Sequence, residues 1–334
     1  MARALFFVVF FSCAVSTETR LQRYLIQGND MVKKSNYAEA SQYFREALKL
    51  DSCFVDALNN LGTVYYSERK YAEAVTQYSK AIECKPDFLP TYFNRANALY
   101  ELNELYSALK DLEHIASIKP DTATLFFTKG LVLTRLRKFD DGILSFQEAL
   151  LRDSQNHELL VNLGTAYYYQ RDYENARIYI NKSLEIKPDE PNAFNVLAMI
   201  EADLGNYEQA YNWISKALLK NPHDPYFLNN RGFLYLMTNE YQKGLADINE
   251  SISSDPYNSW AYRNKGIFYL KVNDAKNAIR LLEQAASMDP YIDKIHLYRT
   301  EAYLQLKEWD KACKAYQKSI EHHEGGKPSM NPCK

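Results

Sequence analysis

The chain has 334 residues, of which 46% are apolar and 25% charged, so it has enough apolar material for a large buried core. Its 11 glycines and 11 prolines are too few for a loop-rich β protein, and this composition favours an almost entirely helical fold. A formal net charge of −2 lacks the basic excess needed to bind a nucleic-acid backbone, and no apolar run is long enough to predict a membrane-spanning helix.

The first 20 residues differ from the rest of the chain. Arg3 is followed by an apolar run from Ala4 to Phe11 and then by small residues, which is the layout of a secretory signal. Residues 10–13 resemble a bacterial lipoprotein processing site, in which Cys13 would carry the lipid and anchor the protein to a membrane. We therefore expect an exported protein, either periplasmic or lipid-anchored. The alternative is a cytoplasmic protein whose apolar N-terminal helix packs on the segment that follows.

Residues 55–88 contain a pattern that recurs along the chain. Its apolar and small residues have the spacing of two amphipathic helices: Leu58, Leu61, Gly62 and Tyr65, then Ala74, Tyr78 and Ala81. Pro86 then prevents the second helix from continuing. The pattern advances by 34 residues without an insertion and covers residues 21–326, which leaves a tail at 327–334. The repeats begin at Leu21, Val55, Leu89, Ala123, His157, Pro191, Pro225, Ser259 and Asp293.

One position of the second helix holds a small residue in every repeat. These residues are Ala40, Ala74, Ala108, Gly142, Ala176, Ala210, Gly244, Ala278 and Ala312. With this column, the pattern resembles the tetratricopeptide repeat. The resemblance implies an all-α, right-handed superhelical solenoid of antiparallel helix pairs, whose first helices line the concave side. No Gly/Ser-rich or charged linker interrupts the repeats, so we expect one continuous array without a second domain.

Two places depart from the regular pattern. Glu201 stands where neighbouring repeats carry an aromatic residue or leucine, so its carboxylate must turn outward or find a partner, and we expect a soft joint there. The last helix is densely charged, and its polar outer face is expected to act as a cap. Without such a cap, the terminal repeat would be a surface for self-association.

The cysteines give little information about the compartment. Cys313 could pair with Cys333 in the tail, but free thiols are the favoured interpretation, because the repeating interfaces already supply the core. His322 and His323 lie near these two cysteines, in a spacing that fits no standard metal site. We therefore predict no metal and no cofactor.

A column of asparagines on the first helices is the leading candidate for a binding site. It occupies the sixth position of five repeats: Asn60, Asn94, Asn162, Asn230 and Asn264. An asparagine ladder of this kind is similar to one in the repeat arm of the O-linked N-acetylglucosamine transferase, where it grips the main chain of extended peptides. An amide side chain offers a donor and an acceptor, as a peptide group does. The alternative is that asparagine is tolerated at a solvated position.

Aromatic residues lie near this column and could add anchors for a partner. They are Tyr66, Tyr100 and Tyr168 in one column, Phe93 and Phe127 in another, and Tyr226 and Trp260 near the starts of their helices. The alternative is that these side chains belong to the core.

Other functional classes find little support in the sequence. Chaperone-tail clamps of this repeat class need cations at positions that Leu25, Pro90 and Asn94 occupy here, so a terminal carboxylate would lack its partners in that frame. Nucleophile elbows, zinc-protease motifs and phosphate-binding loops are absent from the sequence. We therefore predict a non-enzymatic scaffold that binds an extended peptide or protein segment in a concave groove. The alternatives are the adaptor arm of a complex whose activity lies in a partner, and a cytosolic adaptor.

Overall fold

The computed structural model describes residues 16–119 and 121–333, so the signal-like segment with Cys13 lies outside the described residues. The described part of the chain is all-α, and its 18 helices follow one another as antiparallel pairs joined by short turns. These helices form two compact units, divided in sequence between Ser154 and Gln155. The sequence predicts that all repeats form one continuous array. This depends on how the two units are joined, and it stays a prediction.

The first unit contains four helix pairs. Its helices are α1 (Thr17–Lys33), α2 (Tyr37–Leu50), α3 (Val55–Ser67), α4 (Tyr71–Cys84), α5 (Leu89–Glu101), α6 (Leu105–Ile118), α7 (Ala123–Arg135) and α8 (Phe139–Leu150). Helix α1 begins four residues before the repeat frame, and Ser16 caps it by accepting a hydrogen bond from the backbone N–H of Thr19 (3.1 Å).

The second unit contains five helix pairs. Its helices are α9 (His157–Tyr169), α10 (Tyr173–Ile186), α11 (Pro191–Asp203), α12 (Tyr207–Lys220), α13 (Pro225–Met237), α14 (Tyr241–Ser254), α15 (Ser259–Lys271), α16 (Ala275–Met288), α17 (Ile295–Gln305) and α18 (Trp309–Glu321). Within each unit, the second helix of a repeat packs between its own first helix and the first helix of the next repeat. The core therefore runs along each stack as a series of similar interfaces.

The helix starts follow the 34-residue period predicted from the sequence. Every second helix begins at the same repeat position: Tyr37, Tyr71, Leu105, Phe139, Tyr173, Tyr207, Tyr241, Ala275 and Trp309. The turn before it always contains a residue with positive φ, which is glycine only at Gly205 (φ 80°). A left-handed residue after a helix ends that helix and lets the chain reverse.

Small residues lie at the packed contact between α3 and α4. Ala74 is fully buried, and a Cβ added to Gly62 would lie 2.5 Å from the ring of Tyr78. The backbones of α3 and α4 can therefore approach closely only because these side chains are small.

Glu201 is paired, which is one of the two alternatives that the sequence left open. Its carboxylate is 5% exposed and accepts hydrogen bonds from Asn206 Nδ2 (2.9 Å) and Arg177 Nη2 (2.7 Å). Burial raises the pKa of this carboxyl, but the two hydrogen bonds and the charge of Arg177 leave it below its usual value. This pairing ties α11 to α10, and the predicted softness of the joint stays a prediction.

The four cysteines of the described residues are bonded in pairs, so the favoured interpretation of them as free thiols is wrong. Cys53 pairs with Cys84 in the first unit, and Cys313 pairs with Cys333 in the second. Each bridge joins segments that the repeat geometry brings together, with Cα atoms 5.5 Å and 4.9 Å apart. The spacing along the sequence does not reveal this proximity.

The segment that follows α18, including the tail, covers part of the last repeat. The polar outer face of α18 was predicted to act as a cap, and this stays a prediction. The Glu324 carboxylate accepts from the backbone N–H groups of His296 (3.0 Å) and Leu297 (2.8 Å) and so caps α17. Farther along, Ser329 donates to Glu301, and Pro332 is buried. Self-association through the terminal repeats stays a prediction.

Candidate functional site

A cavity of about 500 Å³ opens on the second unit. Its walls come from the first helices of five consecutive repeats, namely α9, α11, α13, α15 and α17. Because these repeats have one length, residues at equivalent positions form rows across the walls. The volume is within the range of about 300–1,000 Å³ that is common for ligand sites.

The lining residues fall into three rows. The second position of each repeat gives Glu158, Asn192, Tyr226, Trp260 and Lys294. The fifth and sixth positions give Val161, Asn162, Asn195, Val196, Asn229, Asn230, Arg263, Asn264 and Tyr298. Positions farther along the helices include Thr165, Tyr168, Met199, Asp203 and Phe233. The walls therefore combine amides, aromatic rings and charges of both signs.

The asparagines of the predicted ladder bond to the chain itself. In the second unit, Nδ2 of Asn230 donates to Oδ1 of Asn195, and Nδ2 of Asn264 donates to Oδ1 of Asn229, both at 2.8 Å. Asn162 donates instead to the backbone carbonyl of Glu158, in its own helix (2.8 Å). The two bonds between asparagines, which we call rungs, join adjacent first helices, and this is a structural role that the sequence did not predict.

The first unit contains rungs of the same kind. Asn94 Nδ2 donates to Asn59 Oδ1 (2.9 Å), and Asn60 Nδ2 donates to Asn29 Oδ1 (2.8 Å). Asn59 precedes Asn60 in the same helix, as Asn229 precedes Asn230. Three of these rungs form where one repeat has asparagine at the fifth position and the next repeat has it at the sixth, whereas Asn29 lies at the ninth position of the first repeat. A bound peptide can therefore form hydrogen bonds only with those amide atoms that the rungs do not already engage.

The rungs leave different amounts of amide surface exposed. Asn264 is 1% exposed and also accepts two hydrogen bonds from Arg263, so it lies below the cavity surface. Asn162 and Asn230 are half-buried and border the cavity. The predicted residues therefore divide into a buried structural member and members with exposed amide atoms.

Of the predicted aromatic residues, three line this cavity. Tyr226 is exposed, and its hydroxyl donates to Asp255 (3.0 Å). Trp260 is half-buried and stacks against Arg263, whose Cζ lies 4.5 Å from the ring centroid. Burial, followed by the nearby Asp203, raises the pKa of Tyr168 well above its ordinary value, so its hydroxyl stays neutral.

The other predicted aromatic residues lie in the first unit and mostly pack on neighbours. The ring of Tyr66 contacts Tyr71 edge-on at 5.4 Å, and Arg135 lies over Tyr100 at 4.8 Å. Phe93 packs on the core, and Phe127 lies 5.9 Å from the buried Phe146. The alternative interpretation as packing residues therefore describes these phenylalanines well.

Charged residues at the cavity were missed at the sequence level. Arg263 is 7% exposed and donates to Asn264 and to the backbone carbonyl of Asp293 (3.0 Å). The carboxylate of Asp293 pairs with Arg171 (3.0 Å), and Asp203 accepts from the hydroxyl of Tyr173 (3.0 Å). A comparison of the fifth positions of successive repeats could have found Asn195, Asn229 and Arg263 as one row.

The part of the chain that the structure describes contains neither a candidate metal site nor a helix that could span a membrane. Its His, Cys, Asp and Glu residues form no group of three or more that could hold a metal ion. Its helices are each too short or too polar to cross a bilayer.

Family models for the tetratricopeptide repeat match residues 55–88, 89–122, 127–191 and 264–326. Together these segments make up more than half of the chain. No match to a curated protein sequence was found.

Several solved structures share the fold at low sequence identity. The APC/C hetero-tetramer Cut9–Hcn1 matches with a TM-score of 0.57 and 15% identity over 95% of this chain and 76% of the other. PilF of Pseudomonas aeruginosa matches with a TM-score of 0.53 and 18% identity over 63% of this chain and 96% of its own. MamA of Desulfovibrio magneticus RS-1 matches with a TM-score of 0.50 and 19% identity over 52% of this chain and 99% of its own. With its helix pairs and its 34-residue period, the chain belongs to the tetratricopeptide repeat family.

Proposed function

We propose that this protein is a non-catalytic interaction scaffold whose second unit binds an extended polypeptide segment. The observation that carries this proposal is the cavity, because five consecutive first helices present amide, aromatic and charged side chains to one concave space. Packed helices lie about 8–10 Å apart, and an extended chain advances about 3.3 Å per residue. About three residues of a bound strand would therefore pass each repeat.

The composition of the walls favours a peptide main chain as the ligand. Half-buried Asn162 and Asn230 offer amide atoms, which can satisfy both the donor and the acceptor of a peptide group. Met199 and Phe233 supply apolar surface between the polar rows. Polar groups that fix the main chain, together with apolar contacts for side chains, are the usual means of holding an extended segment.

A matched pair of substitutions tests this proposal. Met199→Arg places a long charged side chain in the cavity, whereas Gln209→Arg adds the same charge to an exposed position of α12 outside it. A photoreactive residue at Asn192 should crosslink peptides from a random library, and Met199→Arg should abolish this crosslinking while Gln209→Arg preserves it. Equal crosslinking by both variants, with unchanged helical content, would remove the cavity from the proposal.

We also propose that the protein is exported, on the combined basis of the signal-like segment and the two disulfides. Disulfides persist in oxidising compartments and are rare in the cytosol. Mass spectrometry of protein alkylated without reduction should find Cys53, Cys84, Cys313 and Cys333 unmodified, and a mature N-terminus beyond Ala2, with lipid on Cys13 in the anchored form. Alkylation of all four cysteines on a chain that retains Met1 would argue for the cytosolic alternative.

A further inference from the structure

A buried arginine in the cavity has no carboxylate partner, unlike two half-buried arginines at the seventh position of other repeats. Arg95 pairs with Asp111 and Arg231 pairs with Asp247, both through two hydrogen bonds of 2.6–2.9 Å. Arg263 is 7% exposed, yet among the described residues it forms no ion pair, and its hydrogen-bond acceptors are an amide oxygen and a backbone carbonyl. A buried cation without a counter-ion is costly unless something else compensates it.

The guanidinium of Arg263 is nevertheless held firmly in place. Nε and Nη2 donate to Asn264 Oδ1 (3.1 and 2.9 Å), and Nη1 donates to the Asp293 carbonyl (3.0 Å). Its Cζ lies 4.5 Å from the ring centroid of Trp260 and 5.6 Å from that of Phe233. These contacts use three of the five N–H groups of an arginine, so two donors remain on a group that borders the cavity.

The position of Arg263 in the repeat explains why it is unpaired. It occupies the fifth position, where Asn195 and Asn229 accept the rung bond from the following repeat. The following repeat has Tyr298 at the sixth position, so the series of amide rungs ends at Arg263. The neighbouring carboxylate of Asp293 is engaged by Arg171 at 3.0 Å. A cationic group therefore stands at the end of an amide-lined wall.

A second cation borders the same end of the cavity. Lys294 lies at the second position of the last repeat, next to Asp293, and among the described residues it forms no ion pair. At the opposite end, the second position holds Glu158, in the first repeat of this unit. Along the second-position row, the charge therefore changes from negative at Glu158 to positive at Lys294.

We propose that Arg263 and Lys294 form a subsite for a carboxylate of the bound segment, either its C-terminal carboxylate or an Asp or Glu side chain. The planar guanidinium supplies parallel N–H donors that match a carboxylate, and Lys294 adds a second charge. The proposal deepens the peptide-binding function and rests on it. The subsite lies in repeats eight and nine, outside the first-repeat frame in which the chaperone-tail clamp lacks its cations.

The first arm of the test detects the carboxylate site without a peptide. Glutarate is titrated into the full chain labelled at its tryptophan indoles, and the Trp260 signal is identified with Trp260→Phe. The Trp260 signal should shift in a saturable way with glutarate and not with glutaramide, while Trp213 and Trp309 stay in place. A Trp260 signal that does not move, or that moves equally with glutaramide, overturns the inference.

The second arm asks which carboxylate is bound. Two pools of N-acetylated random octapeptides, with free or amidated C-termini, are passed over the immobilised full chain, and the retained peptides are sequenced. Enrichment confined to the free-acid pool identifies the terminal carboxylate, and enrichment of Asp or Glu in both pools identifies a side chain. Loss of a charged hydrogen-bonding partner corresponds to about ten- to hundredfold weaker binding, so Arg263→Gln should reduce retention by that factor.

Matched variants keep the inference testable if Arg263→Gln is poorly folded. Arg263→Lys retains the charge without the fork and should lose part of the preference, and Lys294→Gln should weaken it further. Lys271→Gln removes the same charge from an exposed position outside the cavity and should leave retention unchanged.

The outcomes separate this inference from the proposed function. If the chain binds peptides, and Met199→Arg abolishes this binding, but the bound peptides show no preference for a carboxylate, the subsite is overturned and peptide binding is left intact. A Trp260 shift with glutarate, without retention of any peptide, would support the carboxylate site and overturn peptide binding.

Discussion

The two units build the same helix pair with side chains of different shape. One position of the second helix is mostly aromatic in the first unit and aliphatic in the first four repeats of the second: Phe44, Tyr78, Leu112 and Phe146, against Ile180, Ile214, Ile248 and Leu282. The last repeat departs from both patterns, with half-buried Tyr316 at this position. The first helix faces these residues with Gly28, Gly62, Ala96 and Gly130, and with Gly164, Ala198, Gly232 and Gly266. Every aromatic ring in this set faces a glycine, and both alanines face an aliphatic side chain. In these eight repeats, whether alanine can replace glycine therefore depends on the side chain opposite, whereas the last repeat has Thr300 at the glycine position.

The units also differ at their polar surfaces. The rung between Asn94 and Asn59 in the first unit joins half-buried amides, whereas the rung between Asn264 and Asn229 in the second unit is buried, and Asn264 also accepts from Arg263. The same amide contact is thus near the surface in one unit and part of the cavity wall in the other.

We expect the largest difference between the units in their stability at acidic pH. Burial, then the charges of Arg299, His322 and Lys318, lowers the pKa of His296 to about 4. The folded protein therefore favours the neutral ring, and stability is lost as pH falls below about 6.5 towards 4, by roughly 3 kcal/mol when complete. Hydrogen exchange should show α17 opening at pH 4.5 while the first unit stays protected.

His296→Leu is the matched control for this prediction. Equivalent positions in other repeats hold buried leucines, Leu58, Leu160 and Leu228, so leucine should fit. The variant should remove most of the acid sensitivity of α17. Glu324 acts in the opposite direction, because burial raises its pKa and protonation in acid relieves that cost. An unchanged pH dependence in His296→Leu would show that another group is responsible.

Replacing a buried glycine with alanine should have different effects on stability in the two units. In Gly62→Ala the new methyl would lie 2.5 Å from the Tyr78 ring, and this overpacking should lower the free energy of unfolding by about 1–3 kcal/mol. In Gly266→Ala the new methyl meets Leu282 Cγ at 2.7 Å, on an aliphatic side chain instead of a planar ring. Ala96 already faces Leu112 in this way, so Gly266→Ala should be neutral or stabilise by up to about 1 kcal/mol.

Urea unfolding of the two variants, with hydrogen exchange to assign the change to one unit, measures this difference. The double variant Gly62→Ala with Tyr78→Leu should recover part of the loss, because it recreates the alanine and leucine pair of the third repeat. Equal losses in Gly62→Ala and Gly266→Ala would contradict the role given to the aromatic ring.

The sequence predicts the fold well because the fold depends on local period and residue size. The 34-residue spacing, the small column from Ala40 to Ala312 and the prolines between repeats place the helix pairs. Gly205 is the single glycine among the nine turns between paired helices, so turn composition alone would have located few of them.

The site is less predictable because its contacts join different repeats. The sixth-position asparagines were found, but their acceptors Asn195 and Asn229 belong to the adjacent column, and only packing shows that the columns meet. The sequence does not distinguish Arg263 from a surface arginine, and only the structure shows that it is buried without a carboxylate partner. The same reason explains the disulfides, since Cys53 and Cys84 are 31 residues apart and meet only in the stack.

The smallest expected difference compares the two amide rungs. Asn264→Ala removes the donor to Asn229 and the acceptor that fixes Arg263, all in a buried setting, and should cost about 1–3 kcal/mol of stability. Asn94→Ala leaves Asn59 Oδ1 with a second donor, Thr91 Oγ1 at 3.2 Å, so the loss should be smaller by about 1 kcal/mol. Urea unfolding of both variants checks the order. A larger loss in Asn94→Ala would mean that the rungs do not owe their strength to burial, and Arg263 would then need another explanation for its fixed position.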